Sequence, residues 1–440
     1  MRLGGGRGRR AAAPKPRALR KPDARRVPLA RAMCENRLAM VTTRATSLLL
    51  NLGHAIDHLF LLIFATAVAA IAAEWGMVWQ DLMPYTAGAF VLFGVGSLPA
   101  GRLGDLWGRR AMMIVFFLGI GAAGALVAFS QGPWSLAAAL TLMGAFASIY
   151  HPVGIPMIVQ GSRNPGFTIG VNGLAGNLGI ALAAILTGLL VKHLGWRAAF
   201  AVPGVLAIGC GVLFAALVPR EEMAPARRPK RSVQLPRAVM ARAFVVMTLA
   251  AISGSLIFQF TTNGNGQLLA ERLPAVAGDP ARLGVLLAVI YTIASFAQLV
   301  VGKLIDRMPL KRVYLPIVAA QVPLFALAAG TSGWALFALA LAFMVFVFGA
   351  IPFIDAMIVQ YVDDRMRSRV AGIRLAVSFG VSSLAVYLLG PTVKAAGFGT
   401  LLTVMAVISG FTTLFVALLP GRLAAPSSAA PLVAATAPPR

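Results

Sequence analysis

Long apolar runs separated by short polar breaks dominate the pattern of positions along the chain. Most runs have about the 20 residues that an α-helix needs to cross the hydrocarbon core of a bilayer. The pattern therefore predicts an all-α integral membrane protein with twelve transmembrane helices. The predicted spans are 47–73, 82–101, 111–130, 134–160, 167–191, 198–218, 244–269, 283–302, 313–331, 334–361, 370–393 and 398–419.

The polar segments between and around these runs predict the domain organisation. Residues 1–46 are rich in Arg, Ala, Pro and Gly without hydrophobic periodicity, which is typical of a basic, disordered cytoplasmic arm. We expect six-helix halves at 47–218 and 244–419, joined by a basic cytoplasmic linker at 219–243. The remaining residues, 420–440, are expected to form a disordered cytoplasmic tail.

Composition and charge narrow the class of protein. The 440 residues are 59% hydrophobic and only 12% charged, whereas soluble domains are about 25% charged, so a soluble enzyme is excluded. The net charge of +25 would suggest nucleic acid in a soluble protein. Here 33 of the 39 Lys and Arg residues fall on one side of the predicted spans and 5 on the other. This bias predicts an inner (cytoplasmic) membrane protein with both termini cytoplasmic, and no nucleic-acid partner.

An internal repeat with an offset of about 200 residues relates the two predicted halves. Three matches lie in equivalent spans or loops: residues 101–105 with 302–306, the identical Met-Ile-Val-Gln segments 157–160 and 357–360, and Gly188 and Val191-Lys192 with Gly390 and Val393-Lys394. The register of the three indicates two pseudo-symmetric halves. Parallel six-span repeats are typical of one class of secondary transporter, in which the substrate site lies at the interface between the repeats.

The loop between the second and third spans carries a family resemblance. Residues 101–110, Gly-Arg-Leu-Gly-Asp-Leu-Trp-Gly-Arg-Arg, resemble the G-x-L-x-D-x-x-G-R-[RK] signature of the major facilitator superfamily. Gly53-His54-x-x-Asp57 and Tyr150-His151-Pro152-x-Gly154 are similar to the fosmidomycin-resistance-like branch of exporters. Asn177 stands where the span-five antiporter signature of the family has proline. The resemblance implies a transporter and not an enzyme.

The same loop predicts a conformational latch. Its glycines permit a tight turn and close helix approach, while Asp105 is placed to cap a helix or pair with a basic residue. We expect the cluster to favour the outward-facing state; a plain positively charged cytoplasmic turn is the alternative. The latch residues are Gly101, Asp105, Gly108, Arg109, Arg110 and, in the second half, Asp306.

Ionisable residues inside the spans are functional candidates because charge at bilayer depth is costly. His54, Asp57 and His58 are spaced i, i+3 and i+4, which places them on one face of the first span. A carboxylate between two imidazoles can share and release a proton near neutral pH. We therefore expect these three residues to carry the coupling proton. The alternative is a set of hydrogen bonds that locks the first and fourth spans together.

The substrate cavity is expected where spans one, four, seven and ten meet, as the resemblance implies. Its candidate residues are His151, Gln259, Asn263, Asp355, Arg374 and Asn172. Arg374 and Asn172 occupy equivalent places in the repeat, so the two halves differ chemically there. Either Asp355 and Arg374 form an intramembrane ion pair, or Arg374 presents its positive charge to an anionic substrate.

The favoured function is secondary active transport of a small organic solute by alternating access. The sequence has no G-x-x-x-x-G-K-[ST] nucleotide loop, which favours an ion gradient, here protons, as the driving force. The subfamily likeness favours export. Alternatives are an uptake symporter of a small organic anion, a non-transporting receptor or assembly protein, and a membrane-embedded enzyme. No Cys/His spacing typical of zinc occurs, so we expect no metal or other cofactor, only substrate, protons and lipid, in a monomer.

Overall fold

The computed structural model describes residues 26–160, 162, 165–220, 237–276, 278–361 and 364–418. The start of the predicted arm, residues 221–236 of the predicted linker and the predicted tail lie outside these residues. By its internal contacts the chain divides into two units, residues 1–44 and residues 45–440. In the first unit the described residues are helical. The contacts and sites described below all lie in the second unit.

Every regular element in the described part of the chain is helical. Eleven of these helices are long and apolar enough to cross a membrane, and the last of them contains two spans divided at Gly397, which gives the twelve that the sequence predicts. We number them in chain order. They are α1 Arg26–Glu74, α2 Trp79–Trp107, α3 Arg109–Val127, α4 Pro133–Val159, α5 Pro165–Leu194, α6 Trp196–Leu217, α7 Arg237–Arg272, α8 Pro280–Ile305, α9 Leu310–Ala329, α10 Gly333–Tyr361, α11 364–396 and α12 398–417.

The last two spans meet at a single glycine. Residues Asp364–Ala417 form 54 residues of nearly continuous helix, interrupted only at Gly397 with φ 73° and ψ 170°. At 1.5 Å per residue this length is about 80 Å, far more than the roughly 30 Å of a bilayer core. Because a positive φ is readily adopted only by glycine, Gly397 is the point at which the chain turns and re-enters the membrane.

Three spans are built from two helical pieces. In α4 the helix breaks at Ser148 and Ile149, between Pro133–Ala147 and Tyr150–Val159. Pro152 lies four residues after Ser148, where a proline ring clashes with the carbonyl group of the preceding turn. The pieces of α8 meet at Phe296, and α2 contains a 3₁₀ turn at Met83–Thr86. The break in α4 sets the direction of the piece that carries His151.

The first helix begins earlier than the hydrophobic pattern predicts. The disordered arm was expected through residue 46, but α1 begins at Arg26. Residues 26–46 contain several Ala, Arg, Leu and Met, which have high helix propensity. The apolar pattern marks only the part of a helix that faces lipid or core, so it does not detect a polar helical extension.

The two halves of the bundle contact each other chiefly through two helix pairs, α2 with α11 and α5 with α8. One end of the bundle carries the α2–α3 loop, and we call it the α2–α3 face. The opposite end, the α1–α2 face, carries the turn between Glu74 and Trp79 and the bend at Gly397. A cavity lies between the halves, lined by residues of both.

Candidate functional site

Two helices of the first half bring four ionisable side chains together. His54, Asp57 and His58 lie on one face of α1, as predicted, and the second piece of α4 places His151 beside them. The ring centroid of His151 is 5.0 Å from that of His54 and 5.6 Å from that of His58. The Nε2 atoms of His54 and His58 are 3.1 Å apart. The cluster joins two of the predicted candidate groups, proton coupling and substrate cavity.

A hydrogen-bond network fixes the buried ring of His54. Its Nδ1 lies 2.7 Å from the carbonyl oxygen of Asn172 on α5, and its ring stacks on Tyr150 with centroids 4.7 Å apart. The hydroxyl group of Tyr150 donates to the carbonyl oxygen of Leu50 at 2.8 Å. The Asn172 amide donates to that hydroxyl oxygen at 2.8 Å and to Asn51 Oδ1 at 2.9 Å. The network connects α1, α4 and α5.

A glycine on α5 leaves the space that the His54 ring occupies. A Cβ atom at Gly176 would lie 2.7 Å from Nε2 and Cε1 of that ring, closer than non-bonded atoms pack. Gly176 is thus a position at which the absence of a side chain accommodates a site residue.

Asp57 is the most deeply buried member of the cluster, with 0% of its surface exposed. Its Oδ2 lies 3.5 Å from Nε2 of His151, and neither carboxylate oxygen accepts a hydrogen bond from any described group. His54, His58 and His151 line the cavity, whereas Asp57 does not. The carboxylate therefore lies behind the histidines, with His151 between it and the cavity.

The cavity has a volume of about 150 Å³ and takes residues from both halves. The first half contributes the three histidines and Asn172. The second contributes Arg374 on α11 together with apolar side chains such as Phe258 on α7. Arg374 is the single Lys or Arg among the described lining residues.

Other predicted cavity residues are placed elsewhere. Gln259 and Asn263 are buried in α7 and do not line the cavity; the Asn263 amide donates to the carbonyl oxygen and to Oε1 of Gln259, each at 3.0 Å. The side chain of Asp355 lies outside the described part of the chain, so its pairing with Arg374 stays a prediction.

Two cavity-lining amides were missed by the sequence reasoning. Gln298 on α8 is 2% exposed and lies so close to Gly173 on α5 that a Cβ there would collide with its Oε1. On α9, Gln321 donates to the carbonyl oxygen of Phe346 at 3.2 Å. Each is an amide inside a predicted apolar span. A polar amide inside an apolar span is the sequence signal that could have identified both residues as candidates for the cavity.

The predicted latch residues connect helices of the same half. Arg109 donates to the carbonyl oxygen of Pro156 at 3.3 Å and lies 4.0 Å from Asp105. Arg110 donates to the carbonyl oxygens of Ala215 and Val218 at the end of α6, at 2.6 and 2.7 Å. A cation at the C-terminus of a helix satisfies free carbonyl groups and the helix dipole.

The glycines and the second-half copy of the loop follow the same plan. Gly108 has φ 101° and ends α2, while a Cβ at Gly101 would lie 3.3 Å from Pro152. Asp306 terminates α8. Lys311, equivalent to Arg110, donates to the carbonyl oxygen of Ala417 at the end of α12 at 2.7 Å. The two halves therefore repeat these helix-end contacts as well as the sequence motif.

On the α1–α2 face, two ion pairs connect the halves. Lys192 at the end of α5 lies 3.0 Å from Asp279, the N-cap of α8. Lys394 on α11 lies 2.7 Å from Asp81 at the start of α2. The lysines are equivalent in the repeat, and each pairs with an aspartate near the start of a helix of the other half. The ammonium group of Lys192 holds the pKa of Asp279 below its usual value.

Two glycines lie beside these ion pairs. A Cβ at Gly188 would collide with the carbonyl oxygen of Pro280, and one at Gly390 with that of Gln80. Gly188 and Lys192 are four residues apart, as are Gly390 and Lys394. The matched segments of the repeat are thus the places where the halves touch on this face. Nearby, Trp79 stacks on Phe398 across the halves at 6.2 Å.

Comparison with known proteins identifies relatives that align with only part of this chain. The chain is 32% identical over 173 residues to the "Probable actinorhodin transporter" of Streptomyces coelicolor, covering 38% of this chain and 30% of that protein. It is 29% identical over 224 residues to the "Puromycin resistance protein pur8" of Streptomyces alboniger, covering 49% and 42%. The matches thus span less than half the length of these relatives.

A solved structure shares the fold. The crystal structure of the human organic anion transporter MFSD10 (TETRAN) superposes with a TM-score of 0.66, covering 85% of this chain and 99% of that one at 14% identity. The family model of the Major Facilitator Superfamily matches residues 50–271, half of the chain. With twelve spans in two halves around a central cavity, the chain belongs to the Major Facilitator Superfamily.

Proposed function

We propose that the chain is a secondary active transporter that moves a small organic solute across the cytoplasmic membrane by alternating access. The observation that carries this proposal is a cavity lined by residues of both halves, with three histidines from the first half and Arg374 from the second. Rocking of two halves around such a cavity exposes it first to one side of the membrane and then to the other. The Lys and Arg bias supports a cytoplasmic location for the α2–α3 face.

The two ion pairs of the α1–α2 face support a closed outer side in this conformation. Lys192–Asp279 and Lys394–Asp81 hold α5 to α8 and α2 to α11. In the alternating-access scheme, opening toward the outside separates both helix pairs, so both ion pairs must break in the outward-facing state.

Proton coupling rests on the placement of Asp57 behind His151. An ionised carboxylate without hydrogen-bond donors is costly in a buried site, so protonation stabilises the closed cluster. Water that enters when the cavity opens stabilises the charged form, and the proton then leaves through His151, which contacts Asp57 and lines the cavity. Binding and release of the proton are thereby linked to the conformational change.

Export is the proposed direction. One Streptomyces relative is named as a transporter and the other as a resistance protein. Both names are compatible with removal of an organic compound from the cell. Uptake of an organic anion is the second candidate, because Arg374 presents a cationic side chain to the cavity.

Energised inside-out membrane vesicles test the function and its direction together. Respiration acidifies their interior, so a proton-coupled exporter accumulates solute inside them. Suitable probes are puromycin, ethidium and the organic anion carboxyfluorescein. We expect accumulation of at least one probe, abolished by a protonophore. Accumulation only in right-side-out vesicles would establish uptake, and absence of flux for every probe in both orientations would contradict the proposal in favour of a receptor.

A further inference from the structure

We propose that His54, His58 and His151 form a binding site for a divalent first-row transition-metal ion such as Zn²⁺. Three of the four histidines in the chain belong to this cluster. One nitrogen from each lies within 4.8 Å of the others. The inference goes beyond the proposed transport function and does not depend on it.

The nitrogen spacing suits a tetrahedral ion. Zinc–nitrogen bonds of about 2.0–2.1 Å place two tetrahedral ligands roughly 3.3 Å apart. The Nε2 atoms of His54 and His58 are 3.1 Å apart, close to that value. The largest separation within the trio, at most 4.8 Å, closes to ligand spacing when the side chains move by roughly 1 Å.

The hydrogen bond of His54 sets the tautomer that a metal requires. A backbone carbonyl only accepts hydrogen bonds, so Nδ1 of His54 donates to Asn172 across 2.7 Å. In the neutral ring the lone pair is therefore on Nε2, which faces His58. Ligating histidines characteristically donate their second nitrogen to a carbonyl or a carboxylate in this way. His54 is thus held in a ligating orientation by α5.

Asp57 supplies the corresponding partner for His151. Its carboxylate, 0% exposed, lies 3.5 Å from Nε2 of His151, which leaves Nδ1 of that ring as the nitrogen that would ligate the ion. A carboxylate behind a ligating imidazole orients the ring, raises its basicity and offsets the charge of the cation. Neither oxygen accepts a hydrogen bond from a described group, so a bound cation and the imidazole that it polarises would stabilise the ionised form of this carboxyl group over the protonated form.

The cavity supplies the remaining coordination position. All three histidines line it, so an ion held by them faces open space on one side. Three protein ligands with one open position are the arrangement in which zinc exchanges water or another small ligand. The site therefore differs from a closed structural zinc site.

Cobalt titration tests the site directly. The full chain is purified in nanodiscs through a tag without histidine, stripped with a chelator and titrated with Co²⁺, whose tetrahedral complexes absorb strongly in the visible. Zn²⁺ affinity is measured by calorimetry and by displacement of Co²⁺. We expect one ion per chain. We expect His58→Ala and His151→Ala each to weaken binding at least about tenfold, and Asp57→Asn by about 10- to 100-fold.

His193 provides the matched control. It is exposed at the end of α5, away from the cluster, so His193→Ala should leave affinity and stoichiometry unchanged. Each variant is compared with wild type for monodispersity and helix content. Because His58 is only part-buried, its variant remains informative if His54→Ala does not fold. Absence of tetrahedral Co²⁺ bands and of Zn²⁺ heat in the wild type, or equal affinity in His151→Ala, would overturn the site.

Discussion

The closed α1–α2 face makes a quantitative prediction at its two glycines. Replacing Gly390 with leucine puts a side chain where the carbonyl oxygen of Gln80 lies, and Gly188→Leu does the same against Pro280. A backbone carbonyl group cannot change rotamer to relieve the collision as a flexible side chain can. Gly390→Leu therefore forces α2 and α11 apart, and Gly188→Leu forces α5 and α8 apart. Overpacking costs about 1–3 kcal/mol. If only the closed state bears this cost, the ratio of open to closed conformers rises about 5- to 150-fold.

A cysteine in the cavity reports the shift. Ser378 lines the cavity, so Ser378→Cys is introduced after Cys34 and Cys210 are replaced with alanine. A membrane-impermeant maleimide is then applied to right-side-out vesicles. We expect Gly390→Leu to increase the labelling rate within the range given above. Labelling in inside-out vesicles should decrease at the same time.

The control is a glycine with open space around it. A Cβ at Gly209 on α6 meets no atom within 4 Å, so Gly209→Leu adds the same side chain without a collision. Its labelling rate should match that of the parent. Equal labelling of Gly390→Leu and Gly209→Leu, in a chain that still folds, would refute the closed-face reasoning.

Three further predictions concern the other clusters. A carboxyl group whose pKa is lowered by an ion pair stabilises the closed state fully at pH values above its usual pKa. That stabilisation is lost only as the pH falls through the lowered pKa. The labelling difference between wild type and Lys192→Gln, which removes the partner of Asp279, should therefore stay constant from about pH 8 to about pH 5. Arg109→Ala removes a hydrogen bond to α4 and should slow solute flux about 2- to 10-fold; unchanged flux would contradict a latch role. Zn²⁺ should inhibit flux, and His58→Ala should raise the inhibitory concentration at least about tenfold, whereas His193→Ala should not.

The sequence predicted the spans well because lipid imposes a simple rule on each of them. A run such as 111–130 must be apolar along its whole length, and the structure places α3 at Arg109–Val127. The family resemblance, drawn from the loop at 101–110, is confirmed by the family model. Polar helical extensions escape that rule, which is why the start of α1 at Arg26 was not foreseen.

The site was predicted in part, according to the sequence distance between its members. The face shared by His54 and His58 follows from helical periodicity alone. The contact of His54 with Asn172 on α5 depends on how helices far apart in sequence pack, and no local pattern encodes it. Likewise the repeat identified Lys192 and Lys394 as equivalent, but not their partners, because the partner aspartates are related by a different offset of 198 residues.

The most direct test of proton-coupled alternating access compares two modes of transport in Asp57→Asn. Exchange of solute for solute across a proteoliposome membrane needs the cavity to alternate but needs no net proton movement. Accumulation driven by a pH gradient needs both. For a probe that the wild type transports, we predict that Asp57→Asn keeps exchange and loses gradient-driven accumulation. Accumulation at the wild-type level in this variant would contradict the account.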